Sequence, residues 1–443
     1  MQTNQEMHLV DLGGEIKQVP IRNGYGEGLV LAGDKNKNVV VLCADLTEST
    51  RSLAFQQKYP DRFVEIGVAE QNMASLAAGM AMAGKIPFIS SYAMFSPGRN
   101  WEQLRTTVCY NDVNVKVGGA HAGISVGPDG ATHQAIEDIA IMRPIPNMTV
   151  LVPCDAIEAR KATIAAAEMV GPVYLRFARE KTPVVSTDAT PFQIGKAEIY
   201  VEGSDVAIVA AGTMVYEALI AAKELEKEGV SAAVINSHTV KPLDTKTILM
   251  YAKKCGCIVT AEEHQVMGGL GGAVTEVLSA EYPVPIKRVG VQNKFGQSGQ
   301  PDELMKFYGL KAVNIVQAAK DAIRMKFSHA ATFAEHVTSA PRGAAAKQLA
   351  ERGLNAVPHE VAFKANNGTV IKSIPQLHKA VLAMDQHTFK HHVNSERHDF
   401  AQWIADIHQD HDLAHALRKA NTKTAVAKLL GTRISQLVRA KRP

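Results

Sequence analysis

The feature that most constrains this chain is a repeated alternation of short apolar, β-branched runs with longer helical patterns. Residues 39–43, 86–90, 113–117, 149–152 and 173–177 read as strands. Between them, residues 69–83 carry Met73, Leu76, Ala77 and Met80 at i, i+3, i+4 and i+7, which lines one helix face with apolar side chains. Strands that are apolar on both faces must be covered on both. The pattern therefore predicts a parallel sheet between layers of helices. It stops over the polar stretch 182–191 and restarts with strands at 206–210, 232–235, 257–260 and 286–291, separated by helices over 217–228 and 271–279.

Past residue 327 the character changes. Residues 328–357 are alanine-rich and polar, with Pro341 and Gly343 inside and Pro358 just after, and read as a partly helical tether. The expected fold class is α/β: two successive parallel-sheet α/β domains, 1–190 and 191–327, an Ala-rich linker 328–357, and a small, mainly helical domain 358–443. Residues 328–443 carry 16 Lys/Arg against 9 Asp/Glu, on a body that is slightly acidic. An ordinary solvated helical surface accounts for that excess, and no nucleic-acid partner is expected. The five cysteines form no CxxC pair, no apolar run reaches 18 residues, and the N-terminus has no basic start followed by an apolar run. These predict buried free thiols, no membrane span, no signal peptide and a cytoplasmic protein.

Chemistry concentrates between Cys43 and Arg179. CADLTEST (43–50), GVAEQNM (67–73), SSYAMFS (90–96) and GGAHAGISVGPDGATHQ (118–134) all fall at predicted C-terminal ends of parallel strands, where open α/β sheets bind ligands. Taken alone, Glu70 reads as a first-turn glutamate favoured by the helix dipole. His121, Asp129 and His133 on one polar, glycine-rich loop between a strand and a helix point instead to proton transfer.

These segments, in this order, carry a resemblance. AHAGISVGPDGATHQAIEDIAIMR, GVAEQNM and ADLTEST are similar to motifs of transketolases, and residues 22–323 resemble that family's pyrimidine-binding and C-terminal domains. The resemblance implies a fold with the thiamine-diphosphate pyrimidine-binding domain first and the transketolase C-terminal domain second. It implies that Glu70 bonds the aminopyrimidine of thiamine diphosphate, that Asp45 lines the cofactor site, and that Phe95 and Tyr92 pack on the ring. His121 and His133 would contact donor hydroxyls and assist proton transfer, and Asp129 would read a sugar hydroxyl. Arg22, Ser49 and His121 would hold a phosphate. Val152 stands where some transketolases carry an arginine, so Arg176 or Arg179 is the expected replacement cation.

The family's Gly-Asp-Gly motif for the diphosphate and Mg²⁺ is not found; AGDKNKN (32–38) has Asp34 but no second glycine. With some twenty residues before Arg22, the resemblance implies the C-terminal subunit of a split transketolase. An N-terminal partner subunit would hold Mg²⁺ and share thiamine diphosphate, with a homodimer inside a heterotetramer, sugar phosphates as substrates and no metal ligand in this chain. Residues 204–219, 235–244 and 262–274 resemble the C-terminal domain, whose work is dimer assembly. Their G-G-L-G-G is not a dinucleotide fingerprint, and His264 reads as structural. Residues 387–420 resemble a small uncharacterised helical domain appended to other microbial proteins, in which Phe389, Phe400, Trp403, Ile404 and Leu413 would form a core. His387/His391 and His408/His411 each share a helix face, but no HExxH accompanies them. Two other readings stay open: a deoxyxylulose-phosphate-synthase-like or 2-oxoacid-dehydrogenase β-type subunit, and an idle scaffold. His121 favours transketolase over the synthases, which carry aspartate at the matching place.

Overall fold

The computed structural model describes residues 3–338, 343–394 and 397–441, which fall into two compact units, Met1–Lys326 and Phe327–Pro443. The first unit is built on two sheets. In spatial order the larger runs Thr239–Lys241, Thr149–Leu151, Val173–Arg176, Lys116–Ala120, Ile86–Tyr92, Val39–Cys43 and Phe63–Glu65. All neighbours are parallel except the first pair. Val39–Cys43 is buried at every position, as an apolar run covered on both faces must be. The second sheet runs Ile286–Val291, Ile258–Gln265, Val206–Ala210, Ala232–Asn236 and Glu198–Val201, with only the last strand antiparallel.

Three features refine the pattern reading. The strand expected at 113–117 is Lys116–Ala120 and runs on through two glycines. A Cβ at Gly118 would lie 2.5 Å from the Tyr25 hydroxyl, and one at Gly119 2.5 Å from Tyr174, so large neighbours close over a strand that must stay bare. The division expected near residue 190 is crossed by Thr239–Lys241, which leaves the second half of the unit to pair antiparallel with Thr149–Leu151. Finally, the helical part of the tether can be placed. Helix Ala312–Thr338 extends into it, and helix Gly343–Leu354 lends Ala350, Leu349 and Leu354 to the core of the second unit. Pro341 lies outside the described residues.

The second unit adds the pair Phe363–Lys364/Val370–Ile371 and further helices, closing with Lys423–Lys441. Phe389, Phe400, Trp403, Ile404 and Leu413 are all buried in its core, as expected. His408 is buried with them and held by the Arg352 carbonyl at 2.6 Å. Asp410 and Arg433 form a buried ion pair at 2.7 Å. Among the described residues no helix is long and apolar enough to cross a membrane.

The two halves of the first unit meet over a buried polar cluster. Asn236 Nδ2 donates to Glu158 Oε1 at 2.6 Å and to Glu198 Oε2 at 3.2 Å, and His238 Nε2 lies 3.5 Å from Glu198 Oε1. Burial lifts the Glu158 carboxyl above its ordinary 4.5; His238 opposes the rise and the Glu198 charge adds to it. Burial works to lower His238, but the Glu198 bond and the Glu158 charge outweigh it, so His238 is raised above 6.5. In both cases the folded chain holds a proton that the unfolded chain has released. Both contributions are present at low pH and are lost as pH climbs through the raised values. Stability measured by urea unfolding is therefore expected to fall between about pH 5 and pH 8. Glu158→Gln, which cannot lose a proton, should gain on the wild type as pH rises. A stability difference between the two that stays constant with pH would show that Glu158 keeps an ordinary carboxyl.

Candidate active site

The candidate residues gather at the C-terminal ends of the larger sheet's strands. Glu65, the last residue of Phe63–Glu65, organises two of the turns there. Its Oε1 accepts the backbone N–H of Asp45 at 2.7 Å and of Gly67 at 3.0 Å, and its Oε2 accepts the Thr47 hydroxyl at 3.0 Å. Asp45 is exposed and sits at φ 55°, so this bond holds a turn that its own backbone disfavours. The sequence reading missed Glu65 because its strand is only three residues, two half-buried and the last exposed, too short to show a pattern.

Glu70 opens helix Glu70–Met82 and is only 2% exposed. Its Oε2 is buried without a hydrogen-bond partner. The nearest cation, the exposed Arg99, stands 4.0 Å away, a weak partner in water. Asn100 Nδ2 donates to the Glu70 carbonyl and to Ser96 Oγ, each at 3.1 Å, and so ties the loop bearing Phe95 to the start of this helix. Burying a carboxylate oxygen with nothing to bond costs free energy, so the helix start is arranged for a donor from outside the chain.

Tyr92 ends strand Ile86–Tyr92, and its ring lies 18° from parallel to that of Phe95, centroids 6.1 Å apart. His121 stacks on Tyr92 at 3.8 Å, and His133 meets Phe95 edge-on at 5.5 Å. One aromatic wall therefore carries both histidines. His121 is buried and sits at φ 55°. Its Nε2 is 3.2 Å from Arg22 Nη1. A guanidinium can only donate, so Nε2 accepts and the proton rides on Nδ1, which is buried and unpartnered. Burial, then the Arg22 and Arg179 charges, push His121 down to about 2, so it stays neutral. His133 is half-buried, with Nδ1 2.9 Å from the Thr132 hydroxyl.

Arg22 lies in the first turn of helix Ile21–Lys35. Besides His121, its Nη1 reaches the Ser49 backbone carbonyl at 2.9 Å, while its Nε is buried and free of partners. Ser49 thus acts here through its main chain. Asp129 is exposed and 3.4 Å from Arg179, whose Nη1 also donates to the Val126 carbonyl at 2.9 Å.

Arg176 does not join this group, contrary to expectation. It is 5% exposed and paired with Asp138 at 2.8 Å, and its Nη2 donates to the carbonyls of Ala135 and Glu263. As the last residue of its strand it turns into the interior, where a buried charge needs this neutralisation. Val152 is likewise buried in the core cluster, so the position holds packing rather than a lost phosphate cation. Arg179, beyond the strand end, does act on both Arg22 and His121, as Arg51 also does.

An aromatic heterocycle fits these residues: Tyr92 and Phe95 offer ring faces, and Glu70 Oε2 offers an unclaimed acceptor. For a metal, the convergent donors among the described residues are Glu158, Glu198 and His238, within 4.8 Å of one another in the buried cluster described above.

Residues 17–184 match the family model of the transketolase pyrimidine-binding domain, and residues 195–315 that of the transketolase C-terminal domain. A protein of Methanocaldococcus jannaschii described as a transketolase C-terminal section is 44% identical over 319 residues, covering 71% of this chain and 99% of that protein. The 6-deoxy-6-sulfo-D-fructose transketolase subunit SqwH of Clostridium sp. is 42% identical over 306 residues, covering 69% and 95%. A solved structure described as split gene transketolase, inactive beta4 tetramer, is similar with a TM-score of 0.66 at 46% identity, over 70% of this chain and 99% of that one.

Proposed function

The chain belongs to the transketolase family, and from that premise we propose that it presents the pyrimidine half of a thiamine-diphosphate site and transfers a two-carbon ketol unit between sugar phosphates. The observation that carries the reading is Glu70: a buried carboxylate oxygen without a hydrogen-bond partner, at a helix start that Asn100 ties to the loop bearing Phe95. Bound thiamine diphosphate supplies the electron sink for breaking and forming the carbon–carbon bond. The chain's own residues do the rest. Glu70 Oε2 holds the proton of the pyrimidine ring nitrogen and so sets the tautomer of the ring.

The two histidines divide their work. With Nε2 taken by Arg22, His121 has only its Nδ1–H to offer, and its depressed pKa keeps it from picking up a second proton. It donates to a substrate oxygen and orients it. His133, less buried and bonded only through Nδ1 to Thr132, is the group that exchanges protons with sugar hydroxyls. Asp129 reads a hydroxyl at the outer rim, while Arg22 and Arg179 supply the cations for a sugar phosphate.

The diphosphate and Mg²⁺ are assigned to a second, N-terminal chain, in a heterotetramer built on a homodimer of this one. The near end-to-end coverage of a C-terminal section and of a split-gene subunit supports this. Purified alone, the chain is expected to bind thiamine diphosphate and Mg²⁺ weakly and to transfer no ketol group. Adding the partner should restore transfer from a ketose phosphate to an aldose phosphate, followed by a coupled assay. Tight, Mg²⁺-dependent cofactor binding by the chain alone overturns the split site. A stable complex without ketol transfer overturns the reaction.

A further inference from the structure

Arg51 lies in the turn after strand Val39–Cys43, at φ 68°, a left-handed conformation that costs a long side chain free energy and persists where the surroundings impose it. Its Nε donates to Asn23 Oδ1 at 2.9 Å, and Asn23 is the neighbour of Arg22 in the first turn of helix Ile21–Lys35. The guanidinium is thereby tied to the residue that follows Arg22, near enough for its charge to act on that of Arg22, and its partner is a neutral amide. No carboxylate lies within 4.0 Å of Arg51 or Arg22 among the described residues, whereas Arg179 has both Asp129 and Glu180. The helix start beside them carries no acidic residue in its first turn and no side-chain cap bond. After burial, the Arg51 charge does most to weaken the hold of Arg22 on its proton.

Two guanidiniums without a close ion-pair partner and an uncapped helix start repel one another, and Glu180, which acts on Arg22 from farther off, relieves this only in part; an anion between them would relieve it fully. Their two charges match two negative charges on one group. We propose that Arg51 is a specificity-determining residue which, with Arg22, binds the dianionic terminus of the substrate and selects phosphate over a singly charged sulfonate. Arg51 touches no reacting atom in this scheme. The inference rests on the ketol-transfer reading only for the identity of the molecule that carries the phosphate.

The test uses the full-length chain without cofactor, with inorganic phosphate and methanesulfonate as probes, titrated calorimetrically at about pH 8, where inorganic phosphate is mostly the dianion. Wild type is expected to bind phosphate about tenfold or more tightly than methanesulfonate, the scale of one charge-assisted hydrogen bond. Arg51→Gln should lose about tenfold in phosphate affinity and about twofold or less in methanesulfonate affinity. Arg51→Lys should recover part of the loss, and stands in should Arg51→Gln fail to fold. Phosphate affinity of wild type should fall as pH drops through neutrality, where the dianion takes up a proton, and that fall should be shallower in Arg51→Gln.

No measurable phosphate binding by wild type, an unchanged affinity in Arg51→Gln, or equal losses for both anions each overturn the assignment. The reaction and the residue are separable. If the assembled complex transfers no ketol group while Arg51→Gln still removes the phosphate preference, the reaction falls and Arg51 stands. If ketol transfer holds and the anion ratio does not move, Arg51 alone falls.

Discussion

In the complex of this chain with its partner, Glu70→Ala is expected to lower kcat by about 10²–10⁴-fold, the range of a positioned proton-handling group. The fold should survive. Glu70 Oε2 is buried with no hydrogen bond to lose, and removing an unsatisfied buried polar atom relieves a desolvation cost. The helix start is also tied down independently, because Asn100 bonds the Glu70 backbone rather than its side chain. Activity and stability should therefore move apart, with turnover collapsing while the urea midpoint stays level or rises. Proton exchange at the thiazolium carbon of the bound cofactor, followed by deuterium incorporation, should slow in step with turnover. Glu70→Gln keeps the shape and can donate a hydrogen bond, but it cannot hold the ring proton in exchange, so it should behave like alanine in turnover. Exchange and turnover near wild type in both variants would reduce Glu70 to a helix-start residue.

Much of this site was legible before any coordinates, for a physical reason. Its residues sit in local segments where polar groups and glycines interrupt apolar strand–helix alternation, and such interruptions mark the ends of buried parallel strands. His121, Asp129 and His133 share one loop, and Glu70 opens a helix whose apolar stripe is plain. What stayed hidden depends on partners distant in the chain. Arg176 and Arg179 look alike in YLRFARE. Only Asp138, 38 residues earlier, sends Arg176 inward. Gly118 and Gly119 look like loop, and only Tyr25 and Tyr174 reveal that they are strand positions where a side chain has no room. Thr239–Lys241 holds no local sign that it joins the first sheet rather than the second. Helix Gly343–Leu354 presents so few large apolar residues that its buried face, Leu349, Ala350 and Leu354, cannot be told from a polar tether.

The contrast between Arg176 and Arg179 can be put to a measurement. Arg176→Met leaves the Asp138 carboxylate buried at 3% exposure with only the Tyr174 hydroxyl, at 2.7 Å, to bond it. Breaking a buried pair from one side costs about 3–5 kcal/mol, far more than the intact pair contributes over well-packed neutral groups. The expected result is a large fall in unfolding free energy, read from urea titrations. A clear recovery is expected in the double variant Arg176→Met/Asp138→Asn, because the neutral amide carries no stranded charge and still accepts from Tyr174. Arg179→Gln should do the reverse. Its side chain is partly exposed and its ion pairs are long, 3.4 and 3.6 Å, so stability should stay within about 0.5 kcal/mol. The KM for a sugar phosphate should rise about tenfold through the lost phosphate contact, with kcat changed much less. If Arg176→Met raised KM and left unfolding untouched, the buried pair would have to open during turnover and deliver Arg176 to the substrate. The carbonyls of Ala135 and Glu263, which hold the same guanidinium, argue against such a movement: they would be stranded along with Asp138.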